Sequence, residues 1–251
     1  MNPEPNCYSR RWFEFFHDNL DEIRTEREVR FIRECAPLPE FRDILDVCCG
    51  GGRHARALAD VGYSVVGIDR DANVIAKARE LGGGPTFVQN DIRECELTPG
   101  EYDAIIIMGQ SFGYFDDATN RDMLRRFAIA LRPSGRIILD LWNPEFFVAH
   151  QGERDLKTPA GVARETKHIE ADHLFVELEY PDGSHDRFEW QLFSPSQMKT
   201  VASLFGLSIL SVCTDFNQAT PPNPANPRTQ FVLELKKALS LGAEKGQAGR
   251  T

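Results

Sequence analysis

Ile44-Leu45-Asp46-Val47-Cys48-Cys49-Gly50-Gly51-Gly52-Arg53-His54-Ala55-Arg56-Ala57-Leu58 is the stretch that decides the fold. Ile44 to Val47 is a short apolar run suited to a buried strand. Three glycines follow, and Ala55, Leu58 and Ala59 then set up helical spacing. A strand that turns through glycine straight into a helix lets backbone N–H groups approach a ligand at the helix N-terminus. Asp69 closes the next apolar run, Val65 to Ile68, where a carboxylate can accept from ribose hydroxyls.

Outward from this unit the same rhythm continues. Further short apolar runs are Thr86 to Val88, Ala104 to Met108, Ile137 to Leu141, Leu207 to Val212 and Phe231 to Leu235. Helix-period segments lie around Val74, Ile75 and Ala78, and around Met123, Leu124 and Phe127. Strands alternating with helices require crossovers and so a parallel sheet. The proline-rich stretch 219–228 must loop, and a hairpin-type return there makes the last strand antiparallel. The fold expected is α/β: a doubly wound, seven-stranded, mostly parallel sheet with an antiparallel last strand. Residues 174–180 and 187–192 flank Pro181-Asp182-Gly183-Ser184, a β-hairpin signal that interrupts the pattern. Ser194-Pro195 opens a helix that Gly206 stops. The organisation read from these signals is an N-terminal helical cap over 1–40 and a core over 41–160 and 193–238. An antiparallel β insert occupies 161–192, and 239–251 is a disordered tail.

Charge and cysteine usage narrow the function. With 29 Lys+Arg against 38 Asp+Glu, the net charge of −9 opposes binding to a polyphosphate backbone. Arg24, Arg27, Arg30 and Arg33 alternate with Glu22, Glu26, Glu28 and Glu34, which reads as a solvated helix face with i,i+4 ion pairs. Six cysteines without C-x-x-C spacing argue against a zinc site and a disulfide framework, and no metal is expected. His168 and His173 are read as facing opposite sides of a strand, which also argues against ligation. There is no apolar leader and no run long enough to span a bilayer, so a cytoplasmic location without membrane or nucleic-acid partners is expected.

Gly50-Gly51-Gly52-Arg53-His54-Ala55 also satisfies G-x-G-x-x-A, so an NAD(P)-dependent oxidoreductase competes at this point. Asp46, four residues before Gly50, favours an S-adenosylmethionine (SAM) site, because a nicotinamide site wants an apolar residue there. Asn90-Asp91-Ile92 after the third strand puts an acid and an apolar residue where adenine could be held.

From about Ile44 to Leu235 the chain resembles a class I SAM-dependent methyltransferase. The motifs are Ile44 to His54, Val66-Gly67-Ile68-Asp69, Asn90-Asp91-Ile92-Arg93 and Tyr102-Asp103-Ala104-Ile105-Ile106. Ser111-Phe112-Gly113-Tyr114-Phe115, Leu131-Arg132-Pro133-Ser134-Gly135 and Trp12-Phe13-Glu14-Phe15-Phe16 resemble a bacterial small-molecule branch that includes amino-sugar N-methyltransferases. The resemblance implies a Rossmann-like fold, SAM as cofactor and a small-molecule acceptor methylated on N or O, with RNA or protein as the alternative. A monomer or homodimer is expected. It also implies roles: Asp46, Cys48, Gly50 and Gly52 at the methionine end, Asp69 on the ribose, Arg70, Asp91 and Ile92 at adenine, and Met108 and Gly109 beside the sulfonium. Trp12, with Tyr8, Phe15 and Phe16, would form a lid, since aromatic faces attract a cation. Gln110, Ser111, Tyr114 and Trp142 would line the acceptor pocket, with Tyr114 the candidate for orienting the acceptor or taking its proton. Cys48 departs from the family's usual glycine, and Ser134 replaces a glycine before the fifth strand.

Overall fold

The computed structural model describes residues 6–7, 9–16 and 22–236, with Phe13 and Phe16 described by backbone alone. The tail read as disordered and the lid candidate Tyr8 therefore lie outside the described residues.

Seven strands form one sheet in the order β10-β11-β5-β4-β1-β2-β3. They are β1 (Asp43–Val47), β2 (Ser64–Asp69), β3 (Thr86–Gln89), β4 (Tyr102–Ile107), β5 (Leu131–Trp142), β10 (Leu207–Cys213) and β11 (Arg228–Leu235). The first five run parallel, and β11 is antiparallel to both β5 and β10, as the proline-rich return predicted. Strand alternation sends Leu45, Val47, Ile105 and Ile107 to one face. There they pack on Met123 and Phe127 of α5 (Asp117–Ala130) and Met198 of α7 (Pro195–Ser203). Ile44, Ala104 and Ile106 go to the other face. They meet Phe31 and Ile32 of α2 (Glu22–Cys35), Leu58 of α3 (Arg53–Ala59) and Ile75 of α4 (Ala72–Leu81). Ser194 starts α7 with a capping box to Gln197, which satisfies backbone donors that the first turn leaves open.

The helix α2 corrects the reading of a wholly solvated charged face. The expected Arg24–Glu28 pair forms at 3.1 Å, but the Glu28 side chain is fully buried and also bonds Arg53, His54 and Arg228.

The predicted hairpin is part of a larger second sheet, β6 (Gly152–Thr158), β7 (Gly161–Glu170), β8 (His173–Glu179) and β9 (His185–Gln191), all antiparallel in that order. It thus starts at Gly152, within the stretch read as core. His168 pairs with Phe175 across β7 and β8, so His168 and His173 share a face rather than opposing each other. The inner face packs with α1 (Arg10–Phe16) and α6 (Pro144–Ala149) around Phe15, Phe147, Leu174, Phe188 and Trp190. Gly113 is where this sheet meets the core: Gln191 N donates to Gly113 O at 2.8 Å, and a Cβ on Gly113 would stand 2.6 Å from Gln191 O.

Candidate active site

The carboxyl ends of the parallel strands converge on the glycine turn, the usual ligand position in an open α/β sheet. Gly50 and Gly52 have φ of 52° and 74°, left-handed values that suit glycine. A Cβ on Gly52 would come within 2.4 Å of the Phe87 ring. Cys48 also sits at φ 56°, which gives a backbone reason for glycine being the usual residue there. Gly50 N donates to Asp69 Oδ2 at 2.9 Å and Asp71 N to Asp69 Oδ1 at 3.0 Å, so the acid at the end of β2 holds the turn after β1.

Three observations show that these residues fit SAM. Asp46 is 1% exposed, and its Oδ2 has no hydrogen-bond partner among the described residues. Burial, with Asp69 adding to it and Arg53 opposing, pushes its carboxyl up to about 7. Finally, Cβ atoms on Gly50, Gly51 and Gly109 would meet nothing within 4 Å, which leaves open space along the cradle. A buried carboxylate aimed beside an open backbone cradle suits a ligand that brings its own ammonium and hydroxyls.

Just beyond β3, Asp91 is held by Arg93 at 2.6 Å, and Ile92 is buried. Arg70 points to the N-terminal segment, donating to Asn6 O at 2.7 Å. Asn6 in turn bonds Tyr114 O at 2.8 Å and the backbone of Glu189 in β9, so residues 6 and 7 bridge the ends of β2 and β9. Trp12 packs in the aromatic cluster under the second sheet, with Phe15.

After β4 the chain runs through Met108, buried, to Gly109 at φ 70° and Gln110 at φ 63°. Asp140 on β5 fixes this turn: its Oδ2 accepts from Gly109 N at 3.0 Å and Gln110 Nε2 at 2.6 Å, and Arg228 and Gln230 of β11 bond the same carboxylate. Gln110 O accepts from Trp190 Nε1 at 3.0 Å, linking the turn to the second sheet. Ser111 Oγ donates to Met108 O at 3.3 Å and so braces the same turn. Tyr114 stands on Trp190 with centroids 5.2 Å apart, and Trp190 lies 5.8 Å from Trp142, edge to face. Asp140, Glu28, His54 and Arg228 were not singled out from sequence; the one available signal was a lone arginine opening the last apolar run after the proline-rich loop.

Asp117, Asp172 and His173 bring ligand-type atoms within 4.8 Å of one another. Nδ1 of His173 faces Asp172 at 3.0 Å and Nε2 faces Asp117 at 3.7 Å, so the carboxylates face opposite ring nitrogens instead of sharing one coordination point. An open groove of about 600 Å³ between α2 and α3, lined in part by Arg30, Arg33, Arg53 and Arg56, contains none of the motif residues at the strand ends.

Comparison with known proteins agrees with this fold. A methyltransferase-domain family model matches residues 44–135. The chain is 30% identical to a glycine/sarcosine N-methyltransferase of Halorhodospira halochloris over 70% of its own length and 71% of the relative's. It is 27% identical to a dTDP-3-amino-3,6-dideoxy-alpha-D-glucopyranose N,N-dimethyltransferase of Streptomyces fradiae, covering 68% and 72% of the two chains. Among solved structures, a SAM-dependent methyltransferase from Clostridium acetobutylicum superposes with a TM-score of 0.73 at 17% identity, covering 90% of this chain and 96% of that one. A SAM-bound amino pentose methyltransferase from Micromonospora echinaspora gives 0.70 at 18%, covering 93% and 100%. The chain belongs to the class I SAM-dependent methyltransferases, and SAM is its cofactor.

Proposed function

We propose that the protein transfers the methyl group of SAM to a nitrogen or oxygen of a small-molecule acceptor, with nitrogen favoured. The aromatic wall of Tyr114 in the loop after β4, Trp142 at the end of β5 and Trp190 in β9 carries this reading. Aromatic faces attract cations, and an amine is cationic both before it sheds its proton and after methylation. The relatives named for glycine/sarcosine and for an amino sugar methylate amines, which supports the same choice. When bound, the cofactor supplies a methyl carbon already activated by its sulfonium, so alignment and exclusion of water are what the protein must add.

In this reading Asp46 and the turn from Cys48 to Gly52 hold the methionine end, Asp69 the ribose, and Asp91 with Ile92 the adenine. Met108 and Gly109 flank the reacting carbon, and Trp12 with residues 6 and 7 closes the site from above. Gln110, Ser111, Tyr114 and Trp142 line the acceptor side, where the Tyr114 hydroxyl orients the nucleophile. The net charge of −9 speaks against nucleic acid as acceptor. Six cysteines, none in a disulfide, suit a reducing compartment, and we place the protein in the cytoplasm. Among the described residues no helix is long and apolar enough to cross a membrane.

The test is incubation with methyl-labelled SAM and, separately, a small-molecule cell extract, total RNA and lysate protein. Label is expected in the small-molecule fraction. Label confined to RNA or protein would overturn the proposal.

A further inference from the structure

Arg228 opens β11 and reaches two carboxylates that are both fully buried, Asp140 of β5 and Glu28 of α2. Its Nε donates to Asp140 Oδ1 at 3.0 Å and its Nη2 to Asp140 Oδ2, while the same Nη2 lies 3.0 Å from Glu28 Oε1. Glu28 also bonds Arg53 and His54, the first two residues of α3 after the glycine turn. Asp140 holds the turn after β4 through side chain and main chain together. Its Oδ2 accepts from Gly109 N and Gln110 Nε2, and its backbone O accepts from Gln110 N at 3.0 Å. Polar contacts therefore run without a break from the start of α3 through Glu28, Arg228 and Asp140 to Gly109 and Gln110.

Stability alone gives little reason for this arrangement, since apolar residues of like volume usually serve as well as a buried ion pair. The backbone is also strained around it. Gln110, at φ 63°, is a non-glycine residue in the left-handed region, and so are Asp215 at 55° and Phe216 at 54° in the turn after β10. Such conformations are unfavourable for a residue with a Cβ and persist where the surroundings over-determine them. The turn after β10 lays the Phe216 ring 4.7 Å from the Arg228 guanidinium. It also gives Phe216 N to Gln230 Oε1 at 3.0 Å, which turns Gln230 Nε2 to Asp140 at 2.7 Å. Both strained turns thus bear on Asp140: one is held by it, and the other fixes two side chains that hold it.

We propose that Arg228 is a positioning residue for methyl transfer: bonded to Asp140 and Glu28 at once, it keeps the Gly109–Gln110 turn in register with the glycine turn that leads into α3. This rests on the reading above in which the glycine turn holds the cofactor and Gly109 flanks the reacting carbon. Arg228 acts through Asp140, not on the reacting atoms. Without the guanidinium, Asp140 keeps only the neutral donors of Gly109, Gln110 and Gln230 among the described residues, and the turn it holds is free to shift.

The test compares wild type with Arg228→Met, Arg228→Lys and the control Arg136→Met. Arg136 pairs with Glu234 between the same two strands at their other end, so its loss weakens β5 and β11 away from Asp140. Hydrogen exchange of the ligand-free proteins, read by mass spectrometry, needs no acceptor. In Arg228→Met, peptides containing Gly109 and Gln110 should exchange at least about tenfold faster, and by a larger factor than peptides from β1 in the same protein. A merely structural role would move both alike. Label transfer is then measured on the acceptor found in the incubation above, with both substrates saturating. There kcat should fall roughly tenfold to a hundredfold in Arg228→Met and stay within about threefold in Arg136→Met. S-adenosylhomocysteine affinity by calorimetry should change less than kcat. Arg228→Lys keeps the charge but not the fork, and should recover part of each loss. If Arg228→Met does not fold, Arg228→Lys decides by the same readouts against wild type. Exchange at Gly109 and Gln110 that rises no more than in β1, or an unchanged kcat, overturns the positioning role while methyl transfer stands. Label found only on RNA or protein overturns the proposed acceptor class, and kcat is then read on that acceptor. A wild type that labels nothing overturns the proposed function and the positioning role with it.

Discussion

Asp69 accepts the Gly50 amide at 2.9 Å, so the carboxylate proposed for the ribose also holds the turn proposed to cradle the rest of the cofactor. Asp69→Ala removes both supports. Hydrogen bonds to a charged group contribute about 1.5–3 kcal/mol each, so binding of S-adenosylhomocysteine should weaken by roughly a hundredfold in calorimetry. Asp69→Asn can still accept from Gly50 and should lose less. An unchanged affinity in the alanine variant would place the nucleoside elsewhere.

The buried carboxyl of Asp46 makes cofactor binding depend on pH. Its folded pKa of about 7 exceeds the ordinary 3.8, so this group's contribution to the stability of the ligand-free protein is present at low pH and is lost as pH rises through about 7. Binding runs the other way, because the cofactor's ammonium favours the ionised form. Affinity should climb by up to about tenfold per pH unit below 7 and then level off. Calorimetry in buffers of different ionisation enthalpy should detect proton release at pH 6, and Asp46→Asn should abolish both the release and the slope.

Glu28 carries a load that a surface acid would not. Burial opposes its ionised form, yet His54, Arg53 and Arg228 together hold the carboxyl well below its usual range. Burial lowers the His54 pKa from its ordinary value while Glu28, 2.8 Å from its Nε2, opposes that shift. Glu28→Ala takes a buried carboxylate from the partly exposed Arg24, Arg53 and Arg228, of which Arg228 keeps Asp140, and should cost about 1–3 kcal/mol in urea unfolding. Because the folded pKa is depressed, the stabilisation is full above pH 4.5 and drains away in acid, so the variant should differ least from wild type at low pH.

Gly113→Ala separates cofactor binding from acceptor binding. At φ 98° with Gln191 O in the way, the added methyl must push β9 off the loop after β4. A cost of about 1–3 kcal/mol should appear as a raised acceptor KM with unaltered S-adenosylhomocysteine affinity. Equal loss of both would mean that the loop serves the cofactor directly.

Tyr114→Phe discriminates between orientation and proton transfer. General acid–base contributions are worth about a hundredfold or more, so a fall in kcat under about tenfold fits an orienting hydroxyl. Loss of a hundredfold would assign Tyr114 the proton. Tyr114→Ala, which also removes the ring from Trp190, should raise KM in addition.

What the sequence made legible was whatever local pattern carries. Ile44 to Val47, the glycines and Asp69 announced strand, turn, helix and acid, and each takes that place. The seven core strands were visible as β-branched runs, and the Asp182-Gly183 turn lies between β8 and β9. By contrast β6, Gly-Glu-Arg-Asp-Leu-Lys-Thr, has hardly any apolar residues and forms a strand because β7 offers it a paired edge. Glu28 looked like one more acid on a charged helix, since its partner Arg228 is 200 positions away in sequence. Asp140 was hidden in the same way inside an apolar strand, where its partners come from β4's turn and β11. The orientation of His168 and His173 was misread because a chain reversal, Ala171-Asp172, lies between them.

The chain has three tryptophans, and all of them, Trp12, Trp142 and Trp190, belong to the cluster beneath the second sheet. Tryptophan fluorescence therefore reports on that cluster and on the end of β5 that carries Trp142, whereas far-ultraviolet ellipticity reports on the secondary structure of the whole fold. Should the cluster loosen before the rest melts, the two signals will give separate midpoints and a two-state fit to either will misstate the stability. The same localisation is useful: a spectral change on adding a candidate acceptor to the cofactor-loaded protein can be assigned to one cluster in the fold without labelling anything.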